Sequence, residues 1–134
     1  MTHANDLLKT YPGEVALAPS LLAGVLDTLA DCAQACTACA DACLAEAGVA
    51  ELRTCIRLNL DCADLCEAVL RILSRQTAYD PNLARAAVLA CVTACRTCAD
   101  ECARHGKAGM AHCEVCAEVC RRCAGACEVL LAQL

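Results

Sequence analysis

Cysteine, rather than a larger apolar residue, forms the most regular apolar pattern along this chain. In four segments, successive cysteines mostly stand three or four residues apart, a spacing that places them along one side of an α-helix. The residues between them are mainly alanine, with leucine, glutamate and arginine, which all favour helix. Alternation of apolar and polar residues, the pattern of a half-buried strand, does not occur. The pattern therefore predicts an all-α fold.

The sixteen cysteines divide into one group for each predicted helix. The second group has a gap of seven residues, and Asn59 stands where a further cysteine would continue the spacing. Each helix is thus predicted to turn a stripe of thiols, interrupted once by an amide, towards the interior. The groups are Cys32, Cys36, Cys39 and Cys43; Cys55, Cys62 and Cys66; Cys91, Cys95, Cys98 and Cys102; and Cys113, Cys116, Cys120, Cys123 and Cys127.

Proline and glycine positions delimit the helices. Pro19 and Pro81 suit the first turn of a helix, and Asp80 suits an N-cap. Gly48 suits the residue that ends the first helix, and Gly109 suits the turn into the last one. These positions predict an N-terminal segment with a possible short helix at 1–18 and a bundle at 19–134, with helices at about 19–47, 51–76, 81–105 and 110–132.

The cysteine positions also predict how the helices face one another. In an antiparallel hairpin, residues equally far from the turn lie at one level. Cysteines of the first two groups are symmetric about a point beside Gly48, and those of the last two are symmetric about Gly109. We therefore expect an antiparallel up-down-up-down four-helix bundle with a Cys-lined core. Its expected layers are 32/66/91/127, 36/62/95/123, 39/59/98/120 and 43/55/102/116.

Composition and charge exclude nucleic acid as a partner. The 134 residues include two tyrosines as their only aromatic residues, and the net charge is −5. Nucleic-acid binding would need a basic surface or aromatic side chains for base stacking. A chain of this length can form one domain with one core.

The beginning of the chain carries no pattern of an export signal, since it has neither a cationic start nor an apolar run. The longest uncharged stretch, 15–26, is too short to span a bilayer. We therefore expect a cytoplasmic protein with no membrane partner, in which cysteines indicate metal before disulfides.

The sequence leaves four alternatives to copper binding open as explanations for so many thiols. Buried cysteine can act as a small apolar residue, and facing cysteines could form disulfides. Four thiolates could also hold Zn²⁺ or cadmium, as in a metallothionein-like buffer, or an iron–sulfur cluster that carries electrons. The zinc and cluster alternatives leave negative charge in a buried core, which is unfavourable.

Binding of Cu(I) would leave no net negative charge in the core. One soft monovalent ion balances one thiolate, and a bridging sulfur can serve two ions. The whole column could then be filled at about one Cu(I) per cysteine with no net charge. The leading hypothesis is thus cytosolic storage or sequestration of many Cu(I) ions, either for supply or for detoxification. Nothing in the sequence indicates an enzyme.

The repeated CxxxCxxCxxxC spacing, interrupted in one helix by Asn59, resembles the bacterial copper storage proteins of the cytosolic type. The resemblance covers about residues 20–131. It implies a four-helix bundle that takes up many Cu(I) ions and assembles as a homotetramer. It further implies ligands other than cysteine at an open end of the bundle, where Asn59 and His105 match such positions.

The two ends of the predicted bundle differ in their side chains. Beyond the thiols at one end lie only apolar residues, including Val25, Leu29 and Val69. The other end carries His105, Met110 and His112, which could bind copper as it is loaded. The complete predicted metal set is therefore the sixteen cysteines together with Asn59, His105, Met110 and His112.

Overall fold

A computed structural model describes residues 2–134, and within that range it consists of helices and their connections. Helices α2 to α5 are long, and α2 and α4 each pack against both α3 and α5. The predicted all-α fold is confirmed for these residues. In chain order the elements are α1 (Ala4–Lys9), α2 (Pro19–Ala45), a 3₁₀ turn (Val49–Leu52), α3 (Arg53–Ser74), α4 (Pro81–Lys107) and α5 (Ala111–Leu131).

Contacts between sulfur atoms give the directions of the helices. The Sγ atom of Cys55, near the start of α3, lies 4.0 Å from that of Cys43 and 3.8 Å from that of Cys102, near the ends of α2 and α4. At the other end of α3, Cys66 Sγ lies 3.7 Å from Cys91 Sγ, near the start of α4. A short turn then returns α5 along α4. The four long helices therefore run up, down, up and down.

Local chemistry explains the start of α4 and the turn that follows it. The Asp80 carboxylate accepts hydrogen bonds from the backbone N–H groups of Asn82 and Leu83, at 2.9 and 3.4 Å, and Pro81 occupies the first turn. At the far end, Gly109 has a φ of +106°, a conformation that favours glycine. Both features fix where α4 begins and where α5 turns back.

The connection between α2 and α3 differs from the sequence expectation. Helix α2 ends at Ala45, two residues earlier than 47, and Glu46 is extended with φ −73° and ψ 143°. Gly48 has a φ of −90°, so this position does not require glycine. The chain then makes the 3₁₀ turn, which buries Leu52 completely and delays the start of α3 to Arg53. Burial of this leucine is a tertiary contact that helix propensity does not report.

One end of the bundle is an apolar plug, and the N-terminal segment lies over it. The side chains of Leu8 and Leu17 are buried, and the backbone N–H of Thr2 donates to Asp27 Oδ1 at 2.9 Å. The hydroxyl groups of Tyr11 and Thr77 lie 2.9 Å apart, which joins this segment to the loop between α3 and α4. The plug residues are Leu22, Val25, Leu26, Leu29, Val69, Leu73, Val88 and Leu130.

None of the helices within residues 2–134 combines the length and the apolar character that crossing a membrane requires.

Candidate metal centre

All sixteen cysteines are free thiols inside the bundle. None is more than 3% exposed. In an ordinary bundle these positions would carry leucine, isoleucine or valine. The four long helices therefore enclose a column of sulfur, bounded at one end by the apolar plug.

The sulfur atoms form overlapping groups of four. Within each group, the four Sγ atoms lie within 4.8 Å of one another. Each group shares two cysteines with the next one along the column, so four groups use only ten cysteines. From the plug outward they are Cys66/Cys91/Cys95/Cys123, Cys32/Cys62/Cys66/Cys95, Cys32/Cys36/Cys62/Cys120 and Cys36/Cys98/Cys116/Cys120.

Distances between neighbouring sulfur atoms are similar along the column. The Sγ atoms of Cys62 and Cys95 lie 3.7 Å apart, those of Cys36 and Cys120 lie 3.5 Å apart, and those of Cys98 and Cys102 lie 3.8 Å apart. These are contact distances, well above the length of about 2.05 Å for a disulfide bond. One thiolate in this arrangement has neighbouring sulfur atoms on both sides, so it could bridge two ions.

The structure corrects the expected flat layers at the contact between α2 and α5. Cys36 was expected to lie level with Cys123, but its sulfur lies 3.5 Å from Cys120 and 3.8 Å from Cys116. Cys32 likewise contacts Cys120 rather than Cys127, at 3.9 Å. Helices in a bundle cross at about 20°, so small offsets at three hairpins combine into a shift of one to two turns at the fourth contact.

Asn59 lies inside the sulfur column and is fully buried. Its Nδ2 donates to the backbone oxygen of Cys55 at 2.8 Å. Its Oδ1 accepts from the thiols of Cys116 and Cys98, at 3.0 and 3.3 Å. The amide is thus satisfied without metal, and its oxygen points at the sulfur atoms on which metal would bind.

Replacing Asn59 by alanine is expected to lower the free energy of unfolding of the metal-free chain by about 2 kcal/mol. The change removes hydrogen bonds to two buried thiols and leaves a small cavity. Urea unfolding of the reduced protein measures the effect, and Asn82→Ala, at an exposed position, is the control. Equal stability of the two variants would contradict the role of the buried amide.

Burial opposes ionisation of the thiols, while contacts between neighbouring thiols raise the pKa of some and lower that of others, such as Cys102. Burial raises the pKa of Cys113 to about 12. Contacts with the thiols of Cys123 and Cys91, together with burial, raise the pKa of Cys127. Metal must therefore displace protons from these groups when it binds.

His112 lies at the end of the column opposite the plug, with Cys39, Cys43 and Cys113. Its Nδ1 is 3.4 Å from Cys39 Sγ and 3.5 Å from Cys113 Sγ. Its Nε2 is 3.4 Å from Glu46 Oε1. The imidazole therefore connects the thiols to an acidic side chain at the surface.

His105 and Met110 stand at the same end, where Met110 packs against the buried core and the His105 ring hydrogen-bonds to a carboxylate rather than to sulfur. The buried His105 ring places its Nε2 3.1 Å from Glu101 Oε2. Met110 is the N-cap of α5 and contributes its backbone carbonyl, which accepts from the N–H of Cys113 at 3.1 Å. The structure thus brings His112 to the thiols and places these two beside them.

Two carboxylates at this end, those of Glu101 and Glu46, were not among the site residues predicted from the sequence. Burial opposes ionisation of Glu101, yet hydrogen bonds from Arg104 and His105 hold the pKa of its carboxyl below the usual range. The four-residue spacing of Glu101 and His105 on one helix was a usable signal. Glu46 had no such signal, since its partner His112 lies on another helix.

The overlapping groups favour ions that accept sulfur ligands and share them. Soft thiolates select Cu(I), zinc and iron–sulfur clusters. Isolated four-thiolate sites for zinc would not share cysteines, and four of them would need sixteen. Neighbouring groups instead share two cysteines. This arrangement suits an ion that needs few sulfur ligands, so that one sulfur atom can bridge two ions.

Comparison with known proteins agrees with this geometry. The family model "Csp: Copper storage protein" matches residues 19–132. The chain belongs to the copper storage protein family. The resemblance inferred from the cysteine spacing is thereby confirmed.

Solved structures of one member of the copper storage family closely match this fold. The copper storage protein Ccsp from Streptomyces lividans, loaded with 10 copper equivalents, is 52% identical, with a TM-score of 0.95 over 98% of this chain and 99% of that one. A structure of the cytosolic protein from the same organism with five coppers is 54% identical, with a TM-score of 0.84 over 86% and 95% of the two chains.

A curated relative extends the similarity to another bacterium. The uncharacterized cysteine-rich protein YhjQ of Bacillus subtilis (strain 168) is 34% identical over 107 residues, which are 80% of this chain and 93% of the relative.

Proposed function

We propose that this chain stores many Cu(I) ions on the thiols inside its bundle. The observation that carries the proposal is the run of four-sulfur groups, each of which shares two cysteines with the next. Membership of the copper storage family supports it. So does the 52% identity to a protein whose structure holds 10 copper equivalents.

Charge favours Cu(I) over divalent metals in the interior. Each Cu(I) that replaces a thiol proton leaves the neutral charge of the buried core unchanged. A Zn²⁺ bound by four thiolates would leave a charge of −2 among fully buried residues, which is costly. A column filled with Cu(I) therefore avoids the penalty that limits the alternatives.

The proposed ligands are the sixteen cysteines, together with Asn59, His105, Met110 and His112. The contacts of Asn59 Oδ1 and His112 Nδ1 with sulfur support these two. The proposal for His105 and Met110 rests on their position at the open end. We expect Cu(I) to reach the column from this end, because the apolar plug and the N-terminal segment cover the other.

The remaining parts of the proposal concern the protein's setting. We infer that it acts in the cytosol and performs no catalysis, and support comes from its similarity to a cytosolic copper storage protein. We also infer a homotetramer, the assembly implied by the family resemblance. Exposed apolar side chains such as Leu83 and Leu89 on α4 offer surface for it. Light scattering of the purified chain measures the assembly.

Anaerobic titration of the reduced chain with Cu(I) tests the function. Uptake is expected to continue towards the thiol count of sixteen, with thiolate-to-copper absorption rising throughout. Saturation at about four equivalents or fewer, the capacity of separate four-thiol sites, would contradict storage on shared sulfurs. Labile sulfide with a reversible redox response in freshly isolated protein would indicate an iron–sulfur carrier instead.

Loading is expected to release protons, because thiols such as Cys113 and Cys127 have a raised pKa and are protonated at neutral pH. Affinity should therefore fall as the pH is lowered. An indicator dye in weakly buffered anaerobic solution measures the released protons. Binding with no proton release would contradict coordination by the buried thiols.

The raised pKa of Cys113 also predicts how pH affects the stability of the metal-free chain. A thiol with a raised pKa in the folded chain contributes stability that is present below its ordinary value of 9.0 and is lost as the pH rises further. For Cys113 the loss extends from about pH 9 to about pH 12. Urea unfolding at several pH values checks this.

A further inference from the structure

The N-terminal segment, residues 2–18, is attached to two separate parts of the bundle at its apolar end. Asp27 Oδ1 on α2 accepts hydrogen bonds from the hydroxyl group of Thr2 and from its backbone N–H, the latter at 2.9 Å. These two bonds, the hydroxyl one most, hold the pKa of the Asp27 carboxyl below its usual value. Further along, the Tyr11 hydroxyl lies 2.9 Å from Thr77 Oγ1. The segment thus joins α2 to the loop between α3 and α4.

Leu8 is the buried residue of α1. Its side chain is 8% exposed and packs with the apolar core, whereas Leu7 beside it is 67% exposed. Leu8 and Leu26 of α2 line a cavity of about 80 Å³, which Ser74 and Gln76 at the end of α3 also line. The segment therefore covers the junction of α2 and α3, and its packing there is incomplete.

The contacts of this segment are weaker than those between the four long helices. Helix α1 has only six residues, too few to be stable alone. Asp27, Tyr11 and Thr77 are partly or fully exposed, so water can replace their hydrogen bonds. A region with few buried contacts opens at a lower free energy than the whole domain unfolds. We therefore expect the N-terminal segment to detach while the bundle stays folded.

The apolar plug beneath the segment is short. On α3, Val69 and Leu73 follow Cys66 at intervals of about one turn, and on α5, Leu130 is the next buried residue after Cys127. Detachment of the segment would expose these apolar side chains to water and favour fraying of the helix ends. The thiols nearest the plug would then come within reach of small molecules.

We propose that the N-terminal segment is a latch on the closed end of the sulfur column. While it is attached, metal ions and small molecules exchange with the column only through the open end. When it detaches, the thiols nearest the plug become accessible as well. The consequence for copper rests on the proposed storage function, whereas the accessibility of the thiols does not.

Alkylation of the full-length, reduced, metal-free chain by iodoacetamide under anaerobic conditions tests the latch. Mass spectrometry gives the rate at each cysteine, and each rate is compared with that of the same cysteine in wild type. In Leu8→Ala the rates near the plug, at Cys66 and Cys127, are expected to rise about tenfold, because the lost packing makes detachment easier. The rates at the open end, at Cys43 and Cys113, should stay close to wild type.

Two further variants test the contacts of the segment itself. Asp27→Ala removes the acceptor of both Thr2 hydrogen bonds and should raise the plug-end rates by about threefold. Leu7→Ala is the matched control for Leu8→Ala, since it truncates the exposed leucine of the same helix, and it should behave as wild type.

Leu52→Ala separates local opening from a general loss of stability. Leu52 is fully buried in the 3₁₀ turn at the open end, so its replacement leaves a cavity there. This variant should raise the alkylation rate at Cys55, in the first turn of α3, more than that at Cys127. Leu8→Ala should show the reverse. Circular dichroism shows whether each variant is folded under the conditions of the reaction.

Two outcomes of the alkylation would overturn the latch. One is a plug-end rate in Leu8→Ala equal to that of wild type. The other is a rise of the same size at both ends, which would show that Leu8 supports the whole bundle rather than one end.

Extraction of copper by a strong Cu(I) chelator tests the consequence for the loaded chain. Leu8→Ala should hold as many Cu(I) ions as wild type but lose them faster. Equal rates of loss would overturn the role of the latch in copper exchange. Because the alkylation is measured without metal, failure of the latch is distinguishable from failure of copper storage.

Discussion

Loading the reduced chain with Cu(I) is expected to raise its midpoint of thermal unfolding by tens of degrees. Ions that bind the folded state add a free energy of about 2.7 kcal/mol for each site at a hundredfold excess over its dissociation constant. Four such ions would add about 11 kcal/mol. For a chain of this size each kcal/mol shifts the midpoint by several degrees. The interior thiols exist in the required arrangement only when the four helices are assembled.

Circular dichroism melts under anaerobic conditions, with and without saturating Cu(I), measure this effect. The unfolded chain also binds Cu(I) through its cysteines, which reduces the shift, but it cannot reproduce the shared four-sulfur groups. Removal of copper by a strong Cu(I) chelator is the control and should restore the original midpoint. An unchanged midpoint at full loading would place the copper outside the folded core.

Replacing Leu29 by alanine is expected to destabilise the metal-free chain by about 3 kcal/mol while leaving copper capacity intact. Leu29 is fully buried in the apolar plug, with Val25, Val69 and Leu130. The change removes buried apolar area and leaves a cavity between helices that can relax only in part. The thiols lie further along the bundle, so below its unfolding temperature the variant should bind as many Cu(I) ions as wild type.

Leu44→Ala is the matched control for this prediction. Leu44 lies on the same helix but is 61% exposed, so its replacement should change the free energy of unfolding by no more than about 0.5 kcal/mol. Urea unfolding and Cu(I) titration of both variants separate the two roles. Reduced copper capacity in a folded Leu29→Ala protein would show that the plug and the storage column are not independent.

The helical fold and the order of the helices follow from local features of the sequence. Cysteine spacing identifies the inner face of each helix, and Pro19, Asp80 and Gly109 mark where helices begin or turn. Symmetry of the cysteines about the turns indicates antiparallel neighbours. The contact of Cys66 with Cys91 agrees with the pairing expected between α3 and α4. These features are predictable because each depends on residues close together along the chain or on one hairpin.

The offset between α2 and α5 was not predictable in the same way. These helices are not connected directly, so their register depends on three hairpins and on the tilt of every helix. As a result Cys36 faces Cys116 and Cys120 instead of Cys123. The two groups that join α2 to α5, both of which contain Cys36 and Cys120, arise from this offset. Contacts such as Glu46 with His112 depend on the same long-range arrangement.

Anomalous diffraction from crystals of the Cu(I)-loaded protein, recorded above and below the copper absorption edge, tests the central claim most directly. The account predicts several copper peaks along the axis of the bundle, each between sulfur atoms of two or more helices, from the group around Cys66 to the group around Cys116. Copper peaks confined to the protein surface, or a single peak at the open end with an empty column behind it, would contradict storage on the interior thiols.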